Sequence, residues 1–316
     1  MLGAVSSDSS AGASAATPAK ANQQAPGFYR YKVGEYQITA VTDGVSTYPI
    51  PDGFVTNASK AEISAALAAA YLDPEQLSVP YTPIVVNTGA HLAVIDTGTG
   101  EGNFATSKGA AGQFQRNLRA AGFTPEAVDV VIISHFHGDH VNGLLTADGK
   151  LAFPNATVMV PEKEWAFWMD DGEMSRAPKG RMEGLFKNNR RVFDALNRKV
   201  TPYAWEKDVL PGIKAVGTPG HTPGHTSYVI SSGKDQVFVQ SDVTNLPALF
   251  ARNPGWHPAF DQDGVMAEAT RRRVYDMVAA ERMLIQGFHY PFPGAAYLEK
   301  TSSGYREIPR PWMPVV

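Results

Sequence analysis

The chain of 316 residues contains no cysteine, which excludes disulfide bonds and thiolate metal ligands. Charged residues make up only 19% of the sequence and the net charge is −3, without a basic block, so a nucleic-acid partner is not expected. No stretch reaches the roughly 18 apolar residues that a membrane-spanning helix needs. Histidine is scarce as well, with eight in the chain. The remaining composition, 43% hydrophobic, is that of an ordinary globular protein with a large core.

The first 26 residues differ from the rest, because they are small and polar and too poor in apolar residues to fold alone. They show no charged segment followed by an apolar one, so no intact signal peptide is visible. Leaders rich in Ala and Ser are often found in exported proteins. We therefore expect a periplasmic or secreted protein, with a cytoplasmic location left open, and divide the chain into a disordered leader or signal-peptide remnant at 1–26 and a single domain at 27–316.

Three of the eight histidines stand within six positions, directly after the apolar run at 130–133. The Val and Ile residues of that run indicate a buried strand, and Gly138 allows a sharp turn after it. The segment His135-Phe136-His137-Gly138-Asp139-His140 therefore gathers imidazoles and a carboxylate at the end of a strand. Such a set suits two divalent cations, and its density argues against a histidine-rich loop without metal.

Three later stretches present further possible ligands at a strand end or in a tight turn. These are the turn at 218–225 with His221 and His225, the strand end at Asp242, and the strand end at His289. Taken singly, Asp242 could cap a helix and His289 could be an ordinary core histidine. Together with the first motif they supply enough imidazoles and carboxylates for two metal ions.

Sequence periodicity predicts strands at 36–41, 82–87, 90–95, 157–160, 226–231, 236–240 and 283–286. Helices are predicted at 60–71, after a capping box at Ser59, and at 112–121, 162–168, 181–197 and 265–282. Asp43-Gly44 is predicted to form a turn. Runs of strands separated by single helices favour an α/β fold with two mixed sheets covered by helices.

The HxHxDH segment, the GHTPGH turn, the strand-ending Asp and the final His resemble the motifs of the metallo-β-lactamase superfamily, and the resemblance covers residues 28–316. It implies an αββα sandwich, in which two mixed β-sheets are flanked by helices, with a dinuclear site at one edge. Asp242 would bridge the two metals, and Asp96 and His225 would support the ligands. The first metal would bind His135, His137 and His221, and the second would bind Asp139, His140 and His289.

The chain differs from several branches of this superfamily, and these differences limit the branches that it can resemble. Residue 137 is His where flavodiiron proteins have Glu, one β-lactamase class needs a Cys that is absent here, and another lacks the carboxylate found at Asp242. The sequence shows neither the extra domain nor the basic surface expected of the superfamily's nucleases, and only one long helix is predicted after Asp242, where glyoxalase II has a helical glutathione-binding region. Over its whole length the chain is most similar to methyl parathion hydrolase and its relatives, through phrases at 26–30, 212–215, 220–225 and 288–294. Many acyl-homoserine lactonases carry Tyr where this chain has Asn245.

This resemblance implies a metal-dependent hydrolase of neutral hydrophobic esters, lactones or organophosphate triesters. Asp139 and Asp242 would hold a bridging hydroxide between two cations, ready to attack carbonyl carbon or phosphorus. Zinc is the expected metal, with manganese, cobalt or iron as alternatives. Acyl-homoserine lactonase, arylesterase and β-lactamase activities remain open, as does a non-catalytic metal-binding protein of the same fold.

We predict an apolar, aromatic substrate pocket, with core packing as the alternative role for its aromatic residues. Trp165, Trp168 and Phe186 would form one wall, and Leu246 and Phe250 another. Basic residues beyond Lys179 are interpreted as a solvated helix face, so no fixed cation is expected near the metals. The expected partner is a neutral small-molecule substrate, without nucleic acid or membrane, and a homodimer is left open.

Overall fold

The structure is a computed structural model that describes residues 24–316. Within this range the strands are β1 (Phe28–Val33), β2 (Tyr36–Val41), β3 (Gly44–Pro49), β4 (Gln76–Tyr81), β5 (Ile84–Asn87), β6 (Leu92–Ile95), β7 (Val130–Ile132), β8 (Thr157–Pro161), β9 (Thr201–Tyr203), β10 (Asp208–Leu210), β11 (Ile213–Gly217), β12 (Thr226–Ser232), β13 (Asp235–Ser241), β14 (Leu284–Gly287), β15 (Ala295–Lys300) and β16 (Tyr305–Pro309). The α-helices are α1 (Lys60–Ala69), α2 (Asn103–Thr106), α3 (Phe114–Ala120), α4 (Gly138–Val141), α5 (Glu162–Trp168), α6 (Asp171–Arg176), α7 (Arg181–Ala195), α8 (Pro247–Phe250) and α9 (Gly264–Ala280).

All strands and helices predicted from periodicity are present, with ends within two residues of the predicted ones. Residues 1–23 of the predicted leader lie outside the described range. Among the helices from residue 24 onward, none combines the length and apolar character that crossing a membrane requires.

Two mixed sheets of seven strands each form the centre of the fold, in the orders β1-β2-β5-β6-β7-β8-β9 and β10-β11-β12-β13-β14-β15-β16. They pack face to face through buried aliphatic side chains, such as Ile132 of the first sheet and Ile230 of the second. On the outside, Phe193 of α7 joins the core above the first sheet, and Val274 of α9 packs on the second. These four layers confirm the predicted αββα sandwich.

Parallel pairing brings the ends of several strands to one edge. β6 and β7 are parallel neighbours in the first sheet, and β13 and β14 are parallel neighbours in the second. Since parallel strands end on the same side, the residues that follow them lie close together. Asp96 follows β6, His135 comes three residues after β7, Asp242 follows β13, and His289 follows β14.

A separate two-stranded sheet, β3 with β4, was not predicted. Both strands carry proline and alternate only weakly between apolar and polar residues, so they lack a clear strand pattern. The expected turn at Asp43-Gly44 is instead the entry to β3. Asp43 is buried and its carboxylate accepts hydrogen bonds from the backbone N–H groups of Thr99, Gly112 and Phe114. This sheet places Tyr48 and Tyr81 beside the edge where the strand ends meet.

Candidate metal centre

The predicted ligands come together at this edge of the sandwich. Three sets of side chains lie close enough to share a cation: His135 with His137 and His221, His135 with His140 and Asp242, and Asp139 with His140 and His289. All seven residues are buried except Asp139, which is partly exposed. The local motif, the turn that carries His221 and the two distant strand ends therefore build one cluster.

The three-histidine group consists of His135, His137 and His221. His137 Nδ1 lies 3.1 Å from His135 Nε2 and 2.9 Å from His221 Nε2. His135 and His137 come from the loop after β7 in the first sheet, whereas His221 comes from the turn between β11 and β12 in the second. The group therefore forms only when both sheets are correctly packed.

The Asp139 group consists of Asp139, His140 and His289. Asp139 Oδ2 lies 3.6 Å from His140 Nε2 and 3.4 Å from His289 Nε2. Asp139 and His140 lie on the single turn of α4, which starts directly after the first two histidines. Gly138 opens this turn, as the sequence predicted.

Asp242 lies between the two groups. Its Oδ2 is 3.3 Å from His221 Nε2 and 3.0 Å from His289 Nε2, while its Oδ1 is 3.3 Å from His140 Nε2. The preceding Ser241 has a φ of 50°, a left-handed conformation that is uncommon for a side-chain-bearing residue. A carboxylate that faces ligands of both groups is suited to bridging two cations.

The outward-facing ring nitrogens determine where the lone pairs point. His289 Nδ1 donates to the carbonyl of Pro80 at 2.8 Å, and His140 Nδ1 donates to Asp96 at 2.8 Å. Since a carbonyl or carboxylate can only accept, Nδ1 of each ring carries a proton, and Nε2 is the nitrogen that is left to face the centre and bind a metal. The Nε2 of His140 and Oδ1 of Asp242 are buried without a hydrogen-bond partner. A divalent cation would satisfy both atoms, so the residues fit a metal centre.

Two carboxylates brace the histidines from behind. Asp96, which the sequence placed in a supporting position, binds His140 and also accepts from the hydroxyl and N–H of Ser134. The second, Asp261, was missed by sequence reasoning. Its Oδ1 accepts from His221 Nδ1 at 2.7 Å, and its Oδ2 accepts from the buried Arg271 at 3.2 Å. Partners of this kind fix the ring orientation and raise the basicity of the ligand.

His225 lies next to the cluster but both of its nitrogens are engaged. Its Nδ1 donates to the carbonyl of Thr218 at 3.0 Å, and its Nε2 accepts from the backbone N–H of Asp242 at 3.0 Å. Burial lowers the pKa of His225 to about 3, which keeps the ring neutral. The ring thus holds the backbone of Asp242 in place and offers no lone pair to a metal.

Four histidines of the cluster fall into two sets, one with lowered and one with raised pKa values. Burial and neighbouring histidines hold the pKa of His135 and of His137 well below the usual range. Burial would also lower the pKa of His221 and of His140, but nearby carboxylates outweigh it: Asp242 and Asp261 raise the pKa of His221 to about 9, and Asp242 and Asp96 raise that of His140 well above normal. Each group therefore holds one histidine that must lose a proton before it binds metal.

The centre opens on the side of Asp139, whose side chain is 25% exposed while that of Asp242 is 4% exposed. Burial and the charge of Asp139 raise the pKa values of Tyr48 and Tyr81, and the ring of Tyr81 meets that of His289 edge-on at 5.5 Å. Arg181 is close enough to interact electrostatically with Asp139. One basic residue beyond Lys179 therefore lies near the open side, and it is exposed, as the interpretation of a solvated helix face expected.

The predicted aromatic pocket also needs correction. Trp168 and Phe186 are fully buried in the core between the first sheet and α7, and Phe250 and Leu246 are buried in a second cluster under α1. Of the five predicted pocket residues, Trp165 alone is half-buried, and it packs against the same core. Periodicity had not revealed which helix face these aromatic residues occupy.

An unpredicted aromatic residue does reach the centre. The half-buried Phe260 meets the ring of His221 edge-on, with centroids 5.6 Å apart. Leu246 lines an apolar cavity of about 390 Å³, but none of the metal-cluster residues lines it. The walls nearest the cluster thus come from the small sheet and the loop that carries Phe260.

Both the sequence and the fold are similar to those of known proteins. The model of the metallo-beta-lactamase superfamily matches residues 80–263. An N-acyl homoserine lactonase of Bacillus cereus is 30% identical over 210 residues, which cover 64% of this chain and 74% of the relative. AidC, a dizinc quorum-quenching lactonase solved with a product, N-hexanoyl-L-homoserine, has a TM-score of 0.83 at 25% identity, covering 91% of this chain and 98% of its own. The hydrolase AbOPH of the beta lactamase superfamily has a TM-score of 0.83 at 28% identity, covering 92% and 100%.

Proposed function

The chain belongs to the metallo-beta-lactamase superfamily as a metal-dependent hydrolase, and from this premise we propose that it opens lactones, with N-acyl homoserine lactones as the preferred class. The observation that carries the proposal is the arrangement of two ligand groups around Asp242 with a ring nitrogen of each histidine turned inward. The named activity of the relatives, lactone hydrolysis, selects among the hydrolytic reactions that such a centre supports.

We assign the ligands as the sequence predicted, with Asp242 shared between the three-histidine group and the Asp139 group. When bound, two divalent cations would supply Lewis acidity at the ester carbonyl and a water acidic enough to act as the nucleophile near neutral pH. Zinc suits these nitrogen and oxygen donors, as do manganese, cobalt and iron. We expect elemental analysis of the purified protein to find about two such metals per chain.

The chain's own residues would bind and orient the substrate at the open side. The raised pKa values of Tyr48 and Tyr81 keep both phenols protonated, so their O–H groups can donate to a carbonyl oxygen. Arg181 adds positive charge on the same side, and this charge would attract the carboxylate that forms when the lactone ring opens. An apolar acyl chain would find Phe260 beside His221.

The test compares substrates on zinc-loaded protein. We expect kcat/KM for N-hexanoyl-L-homoserine lactone, followed by acid release, to exceed that for dihydrocoumarin, 4-nitrophenyl acetate and a paraoxon-type triester. Aryl esters and phosphotriesters present a neutral acceptor oxygen similar to that of a lactone. We therefore expect the protein to hydrolyse both, but more slowly than the lactone. The D enantiomer of the same lactone is the control for stereospecific binding. The Asp242→Ala variant is the control for a contaminating hydrolase. Faster hydrolysis of the triester, or of nitrocefin, would replace the lactonase proposal.

A further inference from the structure

Glu164 is a buried carboxylate outside the ligand set. It lies on α5, is completely shielded from solvent, and forms no ion pair among the described residues. Burying a carboxylate is costly unless it is hydrogen-bonded, and burial raises the pKa of Glu164 although nearby donors oppose the shift. The residues that donate to it explain why it is there.

The donors come from both loops of the three-histidine group. Glu164 Oε2 accepts from the backbone N–H of Phe136 at 2.9 Å, and Oε1 accepts from the backbone N–H of Gly224 at 2.7 Å. Phe136 stands between His135 and His137, and Gly224 is three residues after His221. One carboxylate therefore joins the ligand loop of the first sheet to the ligand turn of the second.

Trp168 fixes the orientation of this carboxylate. Its indole Nε1 donates to Glu164 Oε2 at 2.8 Å from the next turn of the helix. Trp168 is itself fully buried. The side chain predicted to contact substrate thus contacts Glu164 instead.

The packing of Gly224 is an independent sign that the turn and α5 are closely fitted. A Cβ at this position would overlap the backbone nitrogen of Glu164 and lie 2.9 Å from its Cγ. Glycine is therefore needed for the N–H of residue 224 to reach the carboxylate. The same turn is further joined to the first loop by a hydrogen bond from Thr226 N to Ser134 O.

We propose that Glu164, held by Trp168, is a positioning residue that sets the spacing of His135 and His137 relative to His221, and thereby the metal affinity of the three-histidine group. The Asp139 group has no contact with Glu164 among the hydrogen bonds of the described residues; Asp96 and the carbonyl of Pro80 orient its rings. The inference rests on the two-metal centre proposed above but not on the substrate, so it can be tested on a protein whose substrate differs.

The experiment measures metal affinity in Glu164→Gln, which keeps the side-chain shape but places an NH2 group against backbone N–H donors. Competition of metal-free protein with a chromophoric chelator for zinc should show one of the two sites weakened by about 10- to 100-fold. The other site should be unchanged. The visible spectrum of the cobalt(II)-loaded variant should change, because the geometry of the three-histidine group is altered.

Trp168→Phe keeps the ring but removes one donor, so it should weaken the same site less, by about tenfold at most. Its milder change also covers the case in which Glu164→Gln fails to fold. Asp43→Asn is the matched control, since Asp43 is another buried carboxylate that accepts from backbone N–H groups but contacts no loop of the three-histidine group. It should lower the melting temperature while zinc affinity and the cobalt spectrum stay those of the parent.

Two results would overturn the proposal. One is a Glu164→Gln or Trp168→Phe protein that loses thermal stability as Asp43→Asn does, yet keeps both zinc affinities and the parent cobalt spectrum. The other is equal weakening of both sites, which would mean that Glu164 supports the fold as a whole rather than the three-histidine group.

Discussion

The two halves of the centre are built differently. The three-histidine group is closed, since His135, His137 and His221 are at most 5% exposed and derive from both sheets. The Asp139 group is open, because Asp139 reaches the surface beside Tyr48, Tyr81 and Arg181. We infer that the closed half serves mainly to hold its metal, whereas the open half also meets the substrate.

The supports of the two halves differ in the same way. The three-histidine group is braced by buried carboxylates, Glu164 and Asp261, and Asp261 is in turn held by Arg271. The Asp139 group is braced by Asp96 and by a backbone carbonyl of β4. That carbonyl belongs to the residue before Tyr81, so the small sheet that lines the open side also orients a ligand. Movement of this sheet would therefore affect substrate binding and the position of His289 together.

The largest effect is expected when a ligand is removed from the closed half. His221→Ala should strip one metal and reduce kcat by more than about 100-fold, the upper end of the effect of residues that only orient ligands. His225→Ala should reduce activity by about 10- to 100-fold and keep both metals, because its nitrogens bind backbone and not the centre. Metal content and kcat are measured on both. Loss of metal from His225→Ala alone would reverse the assignment.

The ligands could be predicted from sequence, but most of their surroundings could not. His135 to His140 form a dense local motif, and His289 ends an apolar strand, so chemistry and periodicity agree there. Asp261 lies in a loop without periodicity, 40 residues after the histidine it supports. Trp168 was correctly placed on a helix, yet its role was mistaken because the pattern does not show that the indole points to a buried carboxylate. Tyr48 and Tyr81 lie on strands with too weak a pattern to be predicted.

Smaller losses of metal affinity are expected when a supporting carboxylate is changed instead of a ligand. Asp261→Asn should weaken zinc binding in the three-histidine group by about 10- to 100-fold, and Asp96→Asn should do the same in the Asp139 group, because an amide orients and polarises the imidazole less well. Stepwise zinc titration of each metal-free variant separates the two affinities. If both variants weaken the same site, the division into two groups is incorrect.

The response to pH should be shared by both halves. In metal-free protein the pKa of His221 is about 9 and that of His140 is raised above normal, so both rings carry an extra proton at pH 7. Zinc must displace these protons, so its affinity for each half should rise with pH, by about tenfold per unit below the pKa of the histidine. Calorimetry in buffers of different ionisation enthalpy should find about two protons released per chain on full loading. Release of none would show that the rings are already neutral.

The smallest expected effect concerns the open half alone. Tyr48→Phe removes a hydroxyl on the inner face of β3 and leaves the ring and the metal ligands in place. If that hydroxyl donates to the lactone, KM should rise by about 2- to 10-fold, as expected for one net hydrogen bond of about 0.5–1.5 kcal/mol. Zinc affinity should not change.

Tyr36→Phe is the control for Tyr48→Phe, because it removes a hydroxyl that bonds the carbonyl of Pro211, in the turn between β10 and β11. Its KM should equal that of the parent. A Tyr48→Phe protein with parental KM and kcat would show that the small sheet shapes the open side without donating to the substrate. A loss of zinc affinity in this variant would instead place Tyr48 among the supports of the Asp139 group, because β4 also orients His289. The open and closed halves would then differ in exposure but not in the way they are braced.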